Sequence, residues 1–431
     1  MFAQINDSTC ENSLERPFIT HIRVTDYFIV KEKGGVFMIT GKTLFLAILV
    51  AAILTATLFT VSPIRSATYP YDPWGDVSGP TPGVPDGTIN MRDIYYLIQR
   101  FNTFGTPIDR APIKIAIVFS TGGLGDKSFN DVTYAGMMRA KDELNITFDY
   151  ATPAAIADYE GFQRGFAADG GYALIVCIGF DQADALNNVA AAYPNQNFAI
   201  ADMVVDQPNV ASLVFKANEG SFLVGVLGGM LTNAGKVGFV GGMDIPLIRD
   251  YFVGYKAGAE WANASVTVLD PLFVGNWADP AMAKELALVL VGLGADGIFA
   301  AAGKSGLGAL LACNESNVNG FGVDSCQDYL YTQIVGSATK RVDNAVFDMV
   351  KSAVISKLLP NLKTGGFKGG IYIKGVADQW TGCSRLPEEE GFWEQTFSFT
   401  ETPLSANVLS KLTEARDKIA SGNITVPTGY T

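Results

Sequence analysis

Residues 122–131, GGLGDKSFND, gather the groups most able to do chemistry: Asp126, Lys127, Ser128, Asn130 and Asp131 around one aromatic, Phe129. The glycines fit neither the G-x-G-x-x-G dinucleotide pattern nor a Walker A loop, so phosphate cradling is not the favoured chemistry. Carboxylates accept hydrogen bonds, an amide such as Asn130 both donates and accepts, and a flat ring stacks. Such a set suits an uncharged polyol carrying a planar ring, with Asn130 able to read a heterocycle edge. Asp126 is the weaker candidate, since a loop aspartate can simply order its own loop. The single histidine, His21, precedes a long apolar run, which leaves the region after that run without a histidine for base catalysis or a metal site. No metal site or cofactor is expected.

The elements around this loop are legible from periodicity. An apolar run at 113–119, rich in β-branched residues, reads as a buried parallel strand, and a helix follows from about Val132. Ligands in open α/β folds bind beyond the carboxyl ends of the strands, where this loop must lie. Further short apolar runs at 172–178, 197–201, 210–215, 236–240, 266–269 and 297–301 alternate with helical stretches at 183–193, 220–231, 249–262 and 281–291. That alternation predicts βαβ units and parallel sheets covered by helices on both faces. A chain of 431 residues exceeds one ordinary core, so two lobes are expected. The formal net charge of −12 argues against a polymeric nucleic acid partner. The five cysteines show no CxxC spacing and no disulfide framework.

Ahead of the lobes, residues 43–61 are apolar and uncharged, close to the ~20 residues that span a bilayer. Lys31, Lys33 and Lys42 precede the run and only Arg65 follows closely, which predicts a single-pass anchor, preferred over a cleaved signal, with 1–42 in the cytoplasm and the rest outside. Residues 62–112 read as a Pro/Gly-rich linker ending in a degenerate dockerin or EF-hand-like helix. Val84 and Pro82 occupy places where calcium ligands belong, so a capped helix is preferred there over bound calcium.

Several stretches together resemble the basic membrane protein family, the substrate-binding proteins of ABC importers. They are GGLGDKSFND, VVDQPNVASLVFKANEGSFLVG from Val204, GKVGFVGGMDIPLIRDYFVGYKAGA from Gly235, AAGKSGLG from Ala301, GVDSCQ from Gly322, TKRVD from Thr339 and SGNITVPT from Ser421. The resemblance covers nearly all of 113–431. It implies a type I periplasmic-binding fold, two doubly wound α/β lobes joined by three crossings, with lobe one at 113–216 and 337–372, lobe two at 217–336 and 373–397, and a C-terminal helix and tail at 398–431.

The resemblance also implies a purine-favouring nucleoside ligand, delivered to an ABC permease, and the site that would hold it. Phe129 and Trp277 would sandwich the base, and Asp324 would accept hydrogen bonds from the ribose diol. Lys340 would contact ribose and compensate Asp324, Asp202 would face the cleft, and Gly303 would allow close approach of backbone. Trp277 stands where phenylalanine is commoner, and Lys304 where the family often has a small or polar residue. The alternatives are a sensor ectodomain signalling through a partner, or a binder of another small sugar-like ligand. A nucleoside-cleaving enzyme is disfavoured for want of a tuned base.

Overall fold

The structure, a computed structural model, describes residues 27–32, 35–40, 111–358, 365–389, 393, 397, 399 and 402–430. The apolar run at 43–61 and the 62–112 linker, with its calcium-like repeat, lie outside the described residues. The chain forms two compact units, residues 1–72 and 73–431. In the first, β1 (Tyr27–Glu32) and β2 (Gly35–Thr40) make an antiparallel hairpin, with Tyr27 opposite Thr40.

The second unit contains two sheets. The first lobe opens with β3 (Ile113–Val118), α1 (Phe129–Leu144), β4 (Ile146–Ala151) and α2 (Tyr159–Asp169). It continues through β5 (Tyr172–Ile178), α3 (Ala183–Ala192), β6 (Phe198–Ala201) and β7 (Val210–Phe215). The second lobe begins with α4 (Ala217–Leu231), β8 (Lys236–Gly241), α5 (Pro246–Ala262), β9 (Thr267–Val268) and β10 (Leu272–Phe273). There follow α6 (Pro280–Gly292), β11 (Gly297–Ala301), α7 (Gly306–Ser316), β12 (Asn319–Asp324) and β13 (Ile334–Lys340). The chain then returns to the first lobe as α8 (Val342–Leu358) and β14 (Gly370–Lys374), and reaches the second again as β15 (Thr381–Cys383) and α9 (Ala406–Ala420).

Sheet one has the order β14-β7-β6-β5-β3-β4 and is parallel throughout. Sheet two runs β10-β8-β11-β12-β13-β15, with β9 beside β8, and only β15 is antiparallel. Strands buried on both faces explain the near-continuous apolar runs: Ile115–Val118 and Leu174–Ile178 are fully buried. The three crossings fall after β7, after β13 and after β14. The expected boundaries at 336/337 and 372/373 cut through β13 and β14, because each strand continues in its own sheet to Lys340 and Lys374. The 373–397 segment is likewise shared. Residues 381–383 pair in sheet two, whereas Trp380 and Trp393 are buried in the first lobe's core. Helix α9 packs Val408, Leu412, Ala415 and Ile419 into the second lobe.

One contact in the second lobe bears directly on the site. Helices α4 and α5 meet backbone to backbone: a Cβ at Gly225 would lie 2.1 Å from the Tyr255 carbonyl oxygen, and one at Gly258 2.0 Å from that of Phe222. Only glycine fits there, and the close approach sets where α5 holds Tyr251. Cys177, Cys313, Cys326 and Cys383 are buried, and none of them is joined in a disulfide.

Candidate functional site

Carboxyl ends of strands from both sheets converge on one cavity between the lobes, about 80 Å³ in volume. Four carboxyl groups, Asp126, Asp181, Asp202 and Asp324, and two ammonium groups, Lys304 and Lys340, line it.

From the first lobe, the loop after β3 supplies Asp126 and Phe129. Asp126 is buried, and its carboxylate accepts from the backbone N–H groups of Ser128, Asn130 and Asp131 at 2.9, 2.9 and 3.2 Å. It caps the start of α1, where N–H groups otherwise lack partners. Burial outweighs these bonds and raises its pKa to about 6. Asp202 follows β6 and Asp324 ends β12, both in left-handed backbone at φ of 71° and 64°. Such a turn swings each side chain off the strand end and into the crevice.

Lys340, at the end of β13, is 3 % exposed and donates to both oxygens of Asp202 at 2.9 and 2.7 Å. Its Nζ is 4.0 Å from Asp324 Oδ1 and lies over the Phe129 ring, 4.9 Å from the centroid. The expected compensation of Asp324 by Lys340 is therefore the longer contact, and the close ion pair joins Lys340 to Asp202 across the lobes. Even with this partner, burial pushes the Asp202 carboxyl above its ordinary pKa. Asp324 takes its hydrogen bonds elsewhere: Tyr251 OH donates to Oδ1 at 3.0 Å and Ser128 Oγ, from the facing lobe, to Oδ2 at 2.7 Å. Burial, then the charges of Asp324 and Asp202, hold Tyr251 well above its usual pKa, so it serves as a proton-bearing donor.

The other wall is aromatic. Trp277 meets Phe180 of the first lobe edge-on, with centroids 6.4 Å apart at 66°. Its ring lies on Gly242, where a Cβ would come within 2.3 Å of it. Gly303, at φ of 54°, sits beneath the same ring. On the first-lobe side, Tyr159 OH donates to Asp181 Oδ2 at 3.0 Å and accepts from Thr121 N–H at 3.0 Å. Burial raises the Asp181 carboxyl above its ordinary pKa.

The structure brings Phe129, Asp126, Asp202, Trp277, Gly303, Asp324 and Lys340 to this cavity. It does not bring Asn130. That residue is 1 % exposed, its Oδ1 accepts from Ser120 N–H, and its Nδ2 donates to Asp126 Oδ2 and Ser120 Oγ. The first helical turn directs it behind the loop, where its donors and acceptor are committed. Tyr251, Phe180, Asp181 and Lys304 also line the cavity, though only Lys304 stood out in the sequence. Asp181 follows the run YALIVCI by three residues, so the strand-end rule would have found it; Tyr251 is hidden on an amphipathic helix. Among the described residues, no cluster of His, Cys, Asp and Glu is arranged to hold a metal ion.

A family model described as "ABC transporter substrate-binding protein PnrA-like" matches residues 113–378. An uncharacterised lipoprotein of Pyrococcus abyssi is 32% identical over 304 residues, 67% of this chain and 73% of that protein. The "ABC transporter nucleoside-binding protein BmpA" of Lactococcus lactis subsp. cremoris is 32% identical over 279 residues, 61% of this chain and 79% of that protein. Among solved structures, an ABC transporter solute-binding protein from Aeropyrum pernix K1 superposes with a TM-score of 0.64 at 30% identity, covering 73% of this chain and 94% of that one. One from Conexibacter woesei, at 20% identity and a TM-score of 0.57, shares the fold. The two sheets and their helices thus form an α/β fold of the periplasmic-binding type.

These findings correct the expected single-pass localisation. The Pyrococcus relatives carry the name lipoprotein, a class held at the membrane by acyl chains and not by a spanning helix. Among the described residues, no helix is long and apolar enough to cross a membrane.

Proposed function

Because this chain belongs to the PnrA-like family of ABC transporter substrate-binding proteins, we propose that it captures nucleosides, purine nucleosides foremost, between its lobes and hands them to an ABC permease. The protein is a binder and not an enzyme, like the family to which it belongs. One observation carries the ligand class: a cavity lined by aromatics, Phe129 and Trp277 among them, and by a buried carboxylate, Asp324, whose two hydrogen bonds come from hydroxyl groups. Hydroxyl donors already on Asp324 mark it as a place where sugar hydroxyls compete on equal terms. An ionised carboxylate only accepts, and its two oxygens match a vicinal diol. Phe129 and Trp277 would hold the base by its faces, a contact worth roughly 1–3 kcal/mol and tolerant of base identity.

Bonds across the cleft supply the closing device. Ser128 Oγ to Asp324, Gln327 Nε2 to the Lys127 carbonyl at 3.0 Å, and Lys340 to Asp202 all join the lobes. A ligand that touches both walls binds the closed arrangement better than the open one, and that difference drives closure. Calorimetric titration of the full chain with inosine, guanosine, adenosine, ribose and free bases tests the reading. Nucleosides should bind, with ribose and bases far weaker; heat from ribose alone, or none from any nucleoside, overturns it.

A further inference from the structure

The polar groups that line the cavity fall into two sets, and the nucleoside reading uses one. In that set Lys340 is paired with Asp202, and Asp324 holds two hydroxyl donors. The second set flanks, in sequence, the edge-on contact of Phe180 with Trp277: Asp181 follows Phe180, and Lys304 follows Gly303, which sits beneath the Trp277 ring. The Lys304 ammonium makes no hydrogen bond or ion pair among the described residues, although the residue lines the cavity. Asp181 uses one oxygen on Tyr159 and keeps acceptor capacity on the other.

We propose that Asp181 and Lys304 are specificity-determining residues that select a nucleobase edge carrying an N–H beside a carbonyl oxygen, as hypoxanthine and guanine do. The inference rests on the nucleoside reading and names which nucleosides the site prefers. An ammonium only donates and a carboxylate only accepts, so the pair asks the ligand for an acceptor toward lobe two and a donor toward lobe one. A 6-oxopurine offers O6 and N1–H in that order, and guanine adds a second N–H for the carboxylate. Adenine in the same pose turns its amine toward the ammonium and a ring lone pair toward the carboxylate, which mismatches both.

Asp181 is fixed before any ligand arrives. Tyr159 is fully buried, and its hydroxyl is pinned by the Thr121 N–H. Next to Asp181, Gln182 Nε2 ties the turn to the Val118 and Ile178 carbonyls, each at 2.9 Å. A carboxylate held at a cavity wall by a buried tyrosine can discriminate, because a mismatched group there leaves polar atoms unpaired.

Calorimetry on the full chain and on Lys304→Met and Asp181→Asn, each checked by thermal melting, tests this. Inosine and guanosine should bind the unmodified chain about tenfold or more tighter than adenosine. Each substitution should draw that ratio toward one, mainly by weakening the 6-oxopurines. Lys304 joins no internal network, so its variant keeps the test open if Asp181→Asn misfolds. Equal binding of inosine and adenosine, or a ratio unchanged in Lys304→Met, overturns the assignment while leaving nucleoside capture standing. Absence of any nucleoside binding overturns both.

Discussion

Asp126, in the loop of the first lobe, and Asp324, at the strand end of the second, are both buried carboxylates on one cavity, yet their partners differ in kind. Every bond to Asp126 comes from within five residues, from the N–H groups and the one amide of its own loop. Asp324 is bonded by Ser128, 196 positions away in the facing lobe, and by Tyr251, 73 positions away on α5. Local backbone partners have no alternative to Asp126, so its role is to shape the loop that presents Phe129. The partners of Asp324 are rotatable hydroxyls, and one of them, Ser128 Oγ, reaches it from the facing lobe. A carboxylate of that sort can exchange protein hydroxyls for ligand hydroxyls. The environment of its donors, more than burial or residue type, distinguishes a shaping carboxylate from a binding one.

The largest effect should come from the charge beside Asp324. Lys340→Met leaves Asp202 buried without its cation, and removing one partner of a buried pair costs about 3–5 kcal/mol. Chemical denaturation should show that loss together with loss of ligand binding. A variant as stable as the parent would mean the Asp202–Lys340 pair contributes no net stability. Asp324→Ala comes next and falls on affinity: loss of a charged hydrogen bond should weaken nucleoside binding by about 1.5–3 kcal/mol, roughly tenfold to more than a hundredfold. Unchanged calorimetric affinity would remove Asp324 from the site and the contrast with Asp126 along with it.

Asp126→Asn should do the reverse, lowering stability by about 1–3 kcal/mol while touching affinity less, because the new amide turns donors toward the donors of Asn130. Its pH dependence has a definite sign. A carboxyl whose pKa is raised to about 6 in the folded state holds its proton more tightly there than in the unfolded chain, where the value is near 3.9. The folded state therefore binds more protons within that window, and this group's contribution to stability falls as pH rises through it. The melting temperature of the parent relative to Asp126→Asn should drop from pH 4 to pH 6 and level off above 7. A difference that stays flat across the series would show that burial does not dominate at Asp126.

What could be read from the sequence follows the same division between local and distant. The runs at 172–178 and 210–215 match β5 and β7, since a strand buried on both faces shows itself in consecutive residues. Strand β4 shows no such run because it is a half-exposed edge strand, with Tyr150 51% exposed. Asp202 and Asp324 were legible through the family resemblance, and as polar residues closing apolar runs. Their pairings were not: Lys340 and Asp202 stand 138 positions apart, and no local pattern encodes that distance. Asn130 looked available for a ligand because it adjoins Phe129. A single helical step separates the two, and the start of α1 turns the amide inward toward Asp126 and Ser120.

The smallest effect expected is that of Trp277→Phe, which sharpens the contrast from the aromatic side. Of the described tryptophans, Trp261 packs on Phe222, Trp380 on Phe215, and Trp393 lies in the first lobe's core, so only Trp277 faces the cavity. Phenylalanine keeps a ring for stacking, so affinity should change by less than about 1 kcal/mol, within roughly fivefold. The optical signal should change far more. Nucleoside should shift the emission of the parent chain, free ribose should not, and the substituted chain should bind while losing most of the response. If ribose shifts the emission as nucleoside does, the tryptophan reports lobe closure driven from the Asp324 end and not a base against its face. That outcome would leave the carboxylate with the ligand and take the indole away from it.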